Sequence, residues 1–456
     1  MEPVTVIGAG LAGCEAAWQL ASRGVPVLLF EMRPARSGPA HHTAQFAELV
    51  CSNSFKSDDP HTAAGLLKRE LADMGSVIVR VARETAVPAG GALAVDRDAF
   101  SASVTQRIES HPLIEVRREE APRIPSGDSI VAAGPLASEA LIESLGTLTG
   151  PSTLSFYDAA APIIDADTVD RSIVFGASRW GKGGESDYLN CPMDKAQYES
   201  FISALLTAER VTLRDFERGE LFQACQPVEE IARTGPDALR YGALKPVGLT
   251  DPVTGERPWA VVQLRAENRA GTAYNLVGFQ TNLTFRAQER VFRMIPGLEG
   301  ATFLRYGVMH RNTFIDAPRL LSRDLALRAA PHVRIAGQLS GTEGYLEAAA
   351  SGLFASLGLM SARSGTPMPV LPETTALGSL LAYATDPETT AYQPMHVNFG
   401  LVPPLPQRVR GKQARYAAYS ERARGDMQAF IASRPDLFGH TGEAVIPGTD
   451  RVEDPR

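Results

Sequence analysis

Three glycines near the start of the chain have the spacing that holds a diphosphate. Gly8, Gly10 and Gly13 form a GxGxxG motif between an apolar run at residues 3–7 and a helical pattern at residues 11–22. In such a motif the first glycine allows a tight turn, the second lets the backbone approach a pyrophosphate, and the third lets the helix pack on the strand. The amides and the dipole of the helix N-terminus then bind phosphate without a cationic side chain.

An acidic residue completes this dinucleotide-binding pattern. Glu31 ends a second β-type run at residues 27–30 and lies 18 residues after Gly13, close to the ~20 expected for a carboxylate that accepts a hydrogen bond from the adenosine ribose. A tight turn without a ligand is the alternative interpretation. The pattern predicts cofactor contacts at Gly8, Ala9, Gly10, Leu11, Ala12, Gly13 and Glu31.

Two later strand ends favour FAD over NAD as the cofactor. Gly134 follows an apolar run at residues 129–133, and Gly337 follows another at residues 333–336. Parallel strands present their carboxyl ends to one crevice, so an extended cofactor can contact all three turns. Each later turn alone could be an ordinary connection between a strand and a helix. Together with the first motif they predict bound FAD, with Gly134 and Gly337 as further contacts.

The four cysteines are the candidate nucleophiles of the chain. No pair has CxxC spacing, so neither a zinc site nor a redox dithiol is indicated, and we predict no metal. Cysteine usage of this kind is typical of the reducing cytoplasm. Cys51 and Cys225 lie in polar loops, whereas we interpret Cys14, directly behind the glycine turn, and Cys191 as structural. Without further information a lone cysteine is more often a small buried hydrophobe than a catalyst.

The elements that must position these residues indicate an α/β protein. The chain has 456 residues, enough for about two or three domains, and its 44% hydrophobic and 21% charged residues are typical of a soluble globular protein. No apolar run is long enough to span a membrane, so we predict no membrane partner. Helical patterns cover residues 63–74 and 345–359, alternating strand patterns cover residues 173–175 and 259–264, and residues 40–60 read as a polar loop.

The strand–glycine–helix pattern of the first 150 residues stops and then resumes near residue 331. This predicts a Rossmann-like FAD-binding domain of the glutathione-reductase type that is interrupted by an inserted α+β domain. The predicted parts are residues 1–155 (FAD-binding domain, first part), 156–325 (inserted domain), 326–438 (FAD-binding domain, second part, with a basic C-terminal helix) and 439–456 (a mobile tail).

Eight stretches, spread in order over nearly the whole chain, resemble the bacterial folate- and FAD-dependent tRNA (uracil-5-)-methyltransferases. They are ELVCSNS at 48–54, YLNCPM at 188–193, CQPVEEIA at 225–232, LKPVGL at 244–249, YNLVGFQT at 274–281, RYGVMHRN at 305–312, GQLSGTEGY at 337–345 and NFGLVPP at 398–404. The sequence departs from the family pattern at Ala133, where threonine is expected, and at Gln226, where a bulky apolar residue is common. Neither departure removes a group that the chemistry needs.

The resemblance implies transfer of the one-carbon unit of 5,10-methylenetetrahydrofolate to C5 of the T-loop uracil of tRNA. Reduced FAD would supply the hydride, NADH or NADPH would reduce the flavin, and no protein partner is predicted. Uracil C5 becomes nucleophilic only after a nucleophile adds to C6, and a second group must later remove the C5 proton. The resemblance assigns these roles to Cys225 as the nucleophile and Cys51 as the acid/base partner, with the reverse order as the alternative.

Further residues in the family stretches are candidates for binding the cofactors. Gly341 and Tyr345 lie just past the third strand end, so the Gly341 backbone is predicted to pass along the isoalloxazine, and Tyr345 to stack on folate or else to pack in the core. Asn53 either hydrogen-bonds the flavin or is a plain turn residue. His310 and Arg311 either orient substrate and bind phosphate or form a solvated surface pair.

A tRNA partner needs a cationic surface, although the formal net charge of the chain is −7. Residues 405–424 hold six basic residues against one acid, and residues 286–311 hold five against two. These runs predict a basic rim, and solvated helix faces are the alternative. The six are Arg408, Arg410, Lys412, Arg415, Arg422 and Arg424; the five are Arg286, Arg290, Arg293, Arg305 and Arg311. Two rival functions remain open at this point, a small-molecule flavin oxidoreductase and a non-catalytic RNA-binding flavoprotein.

Overall fold

Two six-stranded sheets form the framework of the described part of the chain. The computed structural model describes residues 2–38, 40–150, 153–159, 161–181, 187–211, 226–268, 270–307, 309–389 and 392–439, and for 153–159 and 309–312 the backbone alone. In chain order the strands are β1 (Val4–Ile7), β2 (Val27–Phe30), β3 (Ser54–Ser57), β4 (Ala86–Val87), β5 (Ala92–Val95), β6 (Ile114–Arg117), β7 (Ser129–Val131), β8 (Thr153–Ala159), β9 (Ile163–Asp165), β10 (Phe175–Gly176), β11 (Tyr188–Met193), β12 (Ala260–Ala266), β13 (Ala273–Leu276), β14 (Phe303–Arg305), β15 (Met309–Ile315), β16 (Ala326–Leu327) and β17 (Ala330–Ile335).

The α-helices lie between these strands and after the last of them. In chain order they are α1 (Leu11–Ala21), α2 (Ala63–Asp73), α3 (Val77–Glu84), α4 (Arg97–Glu109), α5 (Glu139–Thr149), α6 (Lys195–Leu206), α7 (Val228–Arg233), α8 (Ala238–Tyr241), α9 (Phe285–Phe292), α10 (Ala317–Leu320), α11 (Tyr345–Ser364), α12 (Ala376–Thr385), α13 (Lys412–Ser433) and α14 (Pro435–Phe438).

The first sheet has the strand order of a dinucleotide-binding fold. Its order is β16-β17-β7-β1-β2-β6, and the five strands from β17 to β6 pair in parallel, while β16 is an antiparallel edge. Val6 at the centre lies opposite Leu29 on one side and Ile130 on the other. Because the carboxyl ends of parallel strands meet at one edge, the turns after β1, β7 and β17 share a crevice. The predicted fold class is confirmed.

Helix α1 is buried along its whole length and packs against α11. All eleven of its residues are buried, as expected for a helix between the sheet and a second layer. A Cβ atom at Gly352 of α11 would lie 2.1 Å from the carbonyl oxygen of Ala12, so only glycine permits this close approach of the two backbones. The packing fixes the start of α11, at Tyr345, relative to the glycine turn.

The second sheet is antiparallel and has a core of its own. Its order is β10-β11-β12-β13-β9-β14, and all its strands come from residues 163–305, inside the segment predicted to be inserted. Three fully buried rings pack beneath it: Phe201 of α6, Phe279 after β13 and Phe292 of α9. Phe279 is tilted against Phe201 and meets Phe292 edge to face. A separate antiparallel ribbon of β8 and β15 lies in sequence at the two ends of this segment.

Several predicted elements agree with the structure within a residue or two, and two predictions were wrong. Helices α1 and α2 end one residue earlier than predicted, and α11 runs five residues further, to Ser364, before Gly365 adopts a φ of +65°. The pattern at residues 173–175 forms a strand only at Phe175–Gly176. The predicted loop at residues 40–60 contains β3, because Ser54 pairs with Ala94 of the distant strand β5. The predicted tail begins at residue 439, and residues 440–456 lie outside the described part.

Candidate functional site

The glycine turn between β1 and α1 leaves open space above the N-terminus of the helix. Gly8 has a φ of +99°, and a Cβ atom there would lie 2.7 Å from the carbonyl oxygen of Ala132. A Cβ atom at Gly13 would lie 1.7 Å from the carbonyl oxygen of Gly8, whereas a Cβ atom at Gly10 would meet no atom within 4 Å. Gly8 and Gly13 are therefore required by packing. Gly10 is not, and the space beside it suits a diphosphate on the helix N-terminus.

Substituting Gly10 with alanine is expected to separate ligand binding from folding. The new methyl group fits the protein but occupies the diphosphate space, so FAD content should fall by about tenfold or more, which corresponds to about 1.4 kcal/mol. The melting temperature of flavin-free protein should stay within about 2 °C of wild type. Flavin absorbance per protein and a thermal melt measure the two quantities. Gly127→Ala, where a Cβ atom also meets no atom within 4 Å, is the control and should retain FAD.

Glu31 lies at the end of β2 and is held by Arg33. Its carboxylate accepts hydrogen bonds from the Ala9 amide (3.1 Å) and from Arg33 Nε (2.8 Å), and Arg33 also pairs with Glu48 (2.9 Å). Burial alone would raise the pKa of Glu31, but the hydrogen bonds and charge of Arg33 lower it below its ordinary value. Glu31 is thus ionised in the crevice. The sequence pattern did not reveal Arg33, which has no fixed place in the glycine motif.

A cleft with about 1040 Å³ of empty volume runs along the carboxyl edge of the parallel sheet. Eight of the predicted cofactor contacts line it: Gly8, Gly10, Leu11, Ala12, Glu31, Gly134, Gly337 and Tyr345. Ala9, Gly13, Asn53 and Gly341 are not among its lining residues. Sequence reasoning missed Arg33, His41 and Glu48, which also line it. The Nδ1 atom of His41 is buried without a hydrogen-bond partner, so this wall offers a ligand an unused polar group.

The loop that carries Cys51 is tied to the cleft through Tyr345. The Tyr345 hydroxyl oxygen accepts hydrogen bonds from the backbone amides of Cys51 (2.8 Å) and Ser52 (3.1 Å). Its ring packs against Phe55 at 5.8 Å between centroids and also lines the cleft. Burial raises the pKa of Tyr345, so the hydroxyl remains protonated. Tyr345 thus joins the wall of the cofactor cleft to the thiol loop, while its stacking on folate stays a prediction.

Three arginines from distant elements hold the same loop. Arg97, at the start of α4, donates to the Leu49 carbonyl oxygen, and Arg305, at the end of β14, donates to the Val50 carbonyl oxygen. Arg265 of β12 donates to Asn53 Oδ1 (2.8 Å) and Ser52 Oγ (3.2 Å). Hydrogen bonds from guanidinium groups therefore reach the backbone or side chains on both sides of Cys51.

Charge balance at this loop depends on Glu267. Its carboxylate pairs with Arg97 at 2.8 Å, and both side chains are largely buried. Burial would lower the pKa of Arg97, but the charge of Glu267 raises it above its ordinary value. Burial and then the positive charge of Arg97 lower the pKa of Arg305. The half-buried Cys51 thus lies in an environment that contains two guanidinium groups and one carboxylate.

The side chain of Asn53 has protein partners for both of its polar atoms, and its hydrogen bond to the flavin stays a prediction. Asn53 is fully buried, and its amide nitrogen donates to the carbonyl oxygens of Val95 and Ala266, both at 2.9 Å. Its side-chain oxygen accepts the hydrogen bond from Arg265. These bonds connect the thiol loop to β5 and to β12 of the second sheet.

Gly134, Gly337 and Gly341 differ in the structural reason for which each must be glycine. Gly134 and Gly337 line the cleft with φ values of +71° and +74°, and a Cβ atom at Gly337 would come within 3.1 Å of Ala12 Cβ. Gly341 also has a positive φ, but a Cβ atom there would lie 2.2 Å from the Tyr392 hydroxyl. Packing against Tyr392 therefore requires glycine at this position. A backbone contact of Gly341 with the isoalloxazine stays a prediction.

The other cysteines divide into buried thiols and one outside the described residues. Cys14 and Cys191 are fully buried, and burial raises the pKa of both thiols, which opposes thiolate formation. This agrees with a structural role. Cys225 lies outside the described residues, which resume at Gln226, so its predicted role is not tested. His310 and Arg311 lie in β15, opposite Asp158 and Tyr157 of β8, and their side chains are likewise not described.

The first basic run lies on an exposed surface at α13. Arg408, Arg410, Lys412, Arg415 and Arg424 are exposed, whereas Arg422 is half-buried and donates to the carbonyl oxygens of Pro403 (2.6 Å) and Pro404 (3.0 Å). Tyr416 packs on Phe399 at 4.6 Å, with Lys412 5.5 Å from its ring. Aromatic rings thus alternate with cations on this surface, which we call the α13 surface.

The second basic run does not form one surface. Arg286 and Arg290 are exposed, but Arg293 donates to the Ala301 carbonyl oxygen at 3.0 Å, and Arg305 belongs to the Cys51 loop. Among the described side chains of this run, Arg286 and Arg290 are compatible with the predicted basic rim, whereas Arg293 and Arg305 bond to the protein itself. A count of charges in sequence does not register which side chains are turned toward the protein. No group of three or more His, Cys, Asp or Glu residues suited to a metal occurs in the described residues, and no helix there could cross a membrane.

A family profile and the sequences of known proteins both match most of this chain. The profile of the family described as "Glucose inhibited division protein A" matches residues 3–366. A methylenetetrahydrofolate--tRNA-(uracil-5-)-methyltransferase TrmFO of Geobacter sulfurreducens is 55% identical over 433 residues, which are 94% of this chain and 99% of that protein. The protein of the same name from Thermosynechococcus vestitus is 54% identical over 436 residues, 95% of each chain.

Solved structures agree on the fold. Aquifex aeolicus GidA in its form II crystal aligns with a TM-score of 0.69 at 15% identity, over 96% of this chain and 75% of that one. The form I crystal of the same protein gives 0.68 at 17% identity. At such identities the likeness concerns the fold alone.

Proposed function

The chain belongs to the methylenetetrahydrofolate–tRNA-(uracil-5-)-methyltransferase family, and we propose that it methylates C5 of the T-loop uridine of tRNA. The observation that best supports this is the position of Tyr345, which lines the nucleotide cleft and holds the backbone of Cys51. A reaction that joins a flavin-dependent reduction to thiol chemistry on uracil needs those two sites side by side. The carbon donor is 5,10-methylenetetrahydrofolate, and the products are 5-methyluridine in tRNA and tetrahydrofolate.

The cleft fits FAD as the cofactor. The space beside Gly10, the N-terminus of α1 and the ionised Glu31 suit a diphosphate and its adenosine, and the unpartnered His41 Nδ1 is a further polar contact. Bound in its reduced form, FAD would supply the hydride that turns the transferred methylene into a methyl group. We propose NADH or NADPH as the reductant that restores reduced FAD.

The two loop cysteines would carry the chemistry on uracil. The Cys225 thiolate would add to uracil C6, which makes C5 nucleophilic toward the methylene carbon of the folate. Cys51 would then remove the C5 proton as the bond between the methylene carbon and tetrahydrofolate breaks. The resulting exocyclic methylene takes up the hydride as the Cys225 sulfur leaves C6, which restores the uracil ring. Arg97 and Arg305 act as positioning residues, because they fix the two carbonyl groups that precede Cys51.

A direct assay tests the proposed function. Purified protein is incubated with undermodified tRNA, 5,10-methylenetetrahydrofolate and NADH, and the nucleosides are then analysed by mass spectrometry. 5-Methyluridine should form in the T-loop, and its formation should require the folate. If NADH is oxidised but the RNA is unchanged, the protein is an oxidoreductase of small molecules and the proposal is wrong.

We expect tRNA binding to weaken steeply with added salt. The α13 surface carries five exposed basic side chains, and each phosphate contact releases counterions, so log affinity should fall with log salt with a slope of about −4. Fluorescence anisotropy with labelled tRNA at several salt concentrations measures the slope. The double variant Lys412→Ala, Arg415→Ala should lower its magnitude by about 2. An unchanged slope would remove the α13 surface from the proposed tRNA interface.

A further inference from the structure

A groove with about 710 Å³ of empty volume separates helices α2 and α13. The wall on α2 includes Arg69 and is preceded by His61, and the wall on α13 includes Ala417, Ser420 and Arg424. The α13 residues recur at intervals of three and four, so they share one face of that helix. The groove lies outside the cofactor cleft, but helix α2 links it to the thiol loop, because Lys68 beside Arg69 donates to the carbonyl oxygen of Ser57 in β3.

Ser420 supplies the groove with an unused donor. The residue is only 7% exposed, and its hydroxyl has no hydrogen-bond partner. A serine inside a helix ordinarily donates to the carbonyl oxygen four residues earlier, but this one does not. A buried hydroxyl without a partner is unfavourable, so an acceptor that enters the groove would relieve that cost.

Basic side chains from both sides line the same groove as this hydroxyl. Arg69 and Arg424 are exposed and carry no ion pair among the described residues, and His61 is exposed at the end of the groove. Two acids lie nearby, Glu421 on the rim and Asp73, whose pKa is raised by burial although the charges of both arginines act to lower it. Two exposed guanidinium groups and a hydroxyl donor that line one groove form a site for a group that has only acceptor oxygens and a negative charge.

We propose that this groove binds a backbone phosphate of the RNA substrate. The inference rests on the proposed function for the identity of the RNA, and it adds a groove that adjoins the α13 surface and shares Arg424 with it. Phosphate suits the groove because arginine forks bind its oxygens in pairs and the Ser420 hydroxyl can donate to a third oxygen. Such a contact fixes the position of the RNA without reading its sequence.

The test measures RNA binding and methylation together. Ser420→Ala, Arg69→Ala and Arg424→Ala are compared with Arg328→Ala, which removes an exposed arginine from the edge of the first sheet. For each groove variant KM for tRNA should rise about three- to tenfold with kcat unchanged, and each arginine variant should lower the salt slope by about 1. The Arg328 variant should match wild type. Thermal melts verify that every variant is folded.

Other outcomes separate this inference from the proposed function. If wild-type protein binds tRNA but forms no 5-methyluridine, the function fails, and the anisotropy of the groove variants still tests the site. If inorganic phosphate competes with RNA only in proteins with an intact groove, a single phosphate is the ligand. If the groove variants bind tRNA with wild-type affinity and salt slope, the inference is overturned.

Discussion

Replacing Cys225 with alanine is expected to abolish the covalent adduct that the protein forms with RNA containing 5-fluorouracil. Fluorine at C5 cannot leave as a proton does, so the enzyme stays attached to C6 through the nucleophilic thiolate. Cys51→Ala should keep the adduct but reduce formation of 5-methyluridine by about 10³-fold, because no group then removes the C5 proton. Denaturing gels detect the adduct, and nucleoside analysis measures the product.

Cys191→Ala is the matched control for both variants. Its thiol is buried in the second sheet, so the same atoms are removed without changing the proposed site, and adduct and product should both persist. If the adduct survives in Cys225→Ala and disappears in Cys51→Ala, the two roles are exchanged. If neither substitution affects it, thiol chemistry at these loops is excluded.

Loss of Arg33 is expected to cause the largest drop in stability of any single change at the cleft. Arg33 is 2% exposed and neutralises the buried carboxylates of Glu31 and Glu48. Arg33→Ala would leave both charges unpaired, so the free energy of unfolding should fall by about 3–5 kcal/mol, as measured by urea denaturation. FAD content should fall as well, because Glu31 loses the partner that fixes its orientation.

At acidic pH the difference in the free energy of unfolding between wild type and Arg33→Ala should become smaller. The folded-state pKa of Glu31 lies below its ordinary value in the wild type, so its contribution is full at neutral pH and is lost as the pH falls through and below about 4.5. In the variant, burial without Arg33 raises the pKa, so protonation on acidification relieves the buried charge. Arg36→Ala, which breaks an exposed pair with Glu120, should cost at most about 1 kcal/mol. An equal loss in both variants would contradict the account.

The elements around the glycine motif could be predicted from the sequence, because the residues that determine them lie close together in the chain. The glycine motif located β1, α1, β2 and Glu31 within a residue, since turn, packing and register are all set within about 30 residues. The small sheet of β3, β4 and β5 was not predicted. Its strands are two to four residues long, and β3 pairs with a strand almost forty residues away, so no periodic pattern is long enough to reveal it.

The loop around Cys51 shows how little of the candidate site could be predicted from the sequence. Resemblance pointed to Cys51, but the groups that hold it come from α4, β12, β14 and α11. Arg265 meets Asn53 across 212 positions of sequence, and Tyr345 meets Cys51 across 294. Such contacts depend on how the second sheet lies against the first. For Asn53 the sequence left two interpretations open, and it could not show the protein groups that bond to its side chain.

The hydroxyl of Tyr345 has a consequence for the order of events in turnover. The Tyr345 ring is part of the cleft wall, and its hydroxyl holds the amides of Cys51 and Ser52. Displacement of that ring would therefore break both hydrogen bonds and shift Cys51 without any domain movement. A protein that has lost its flavin would then also have a loosely held thiol loop, with faster amide exchange at Cys51 and Ser52. The same tyrosine would thus make removal of the C5 proton by Cys51 depend on an occupied cofactor cleft.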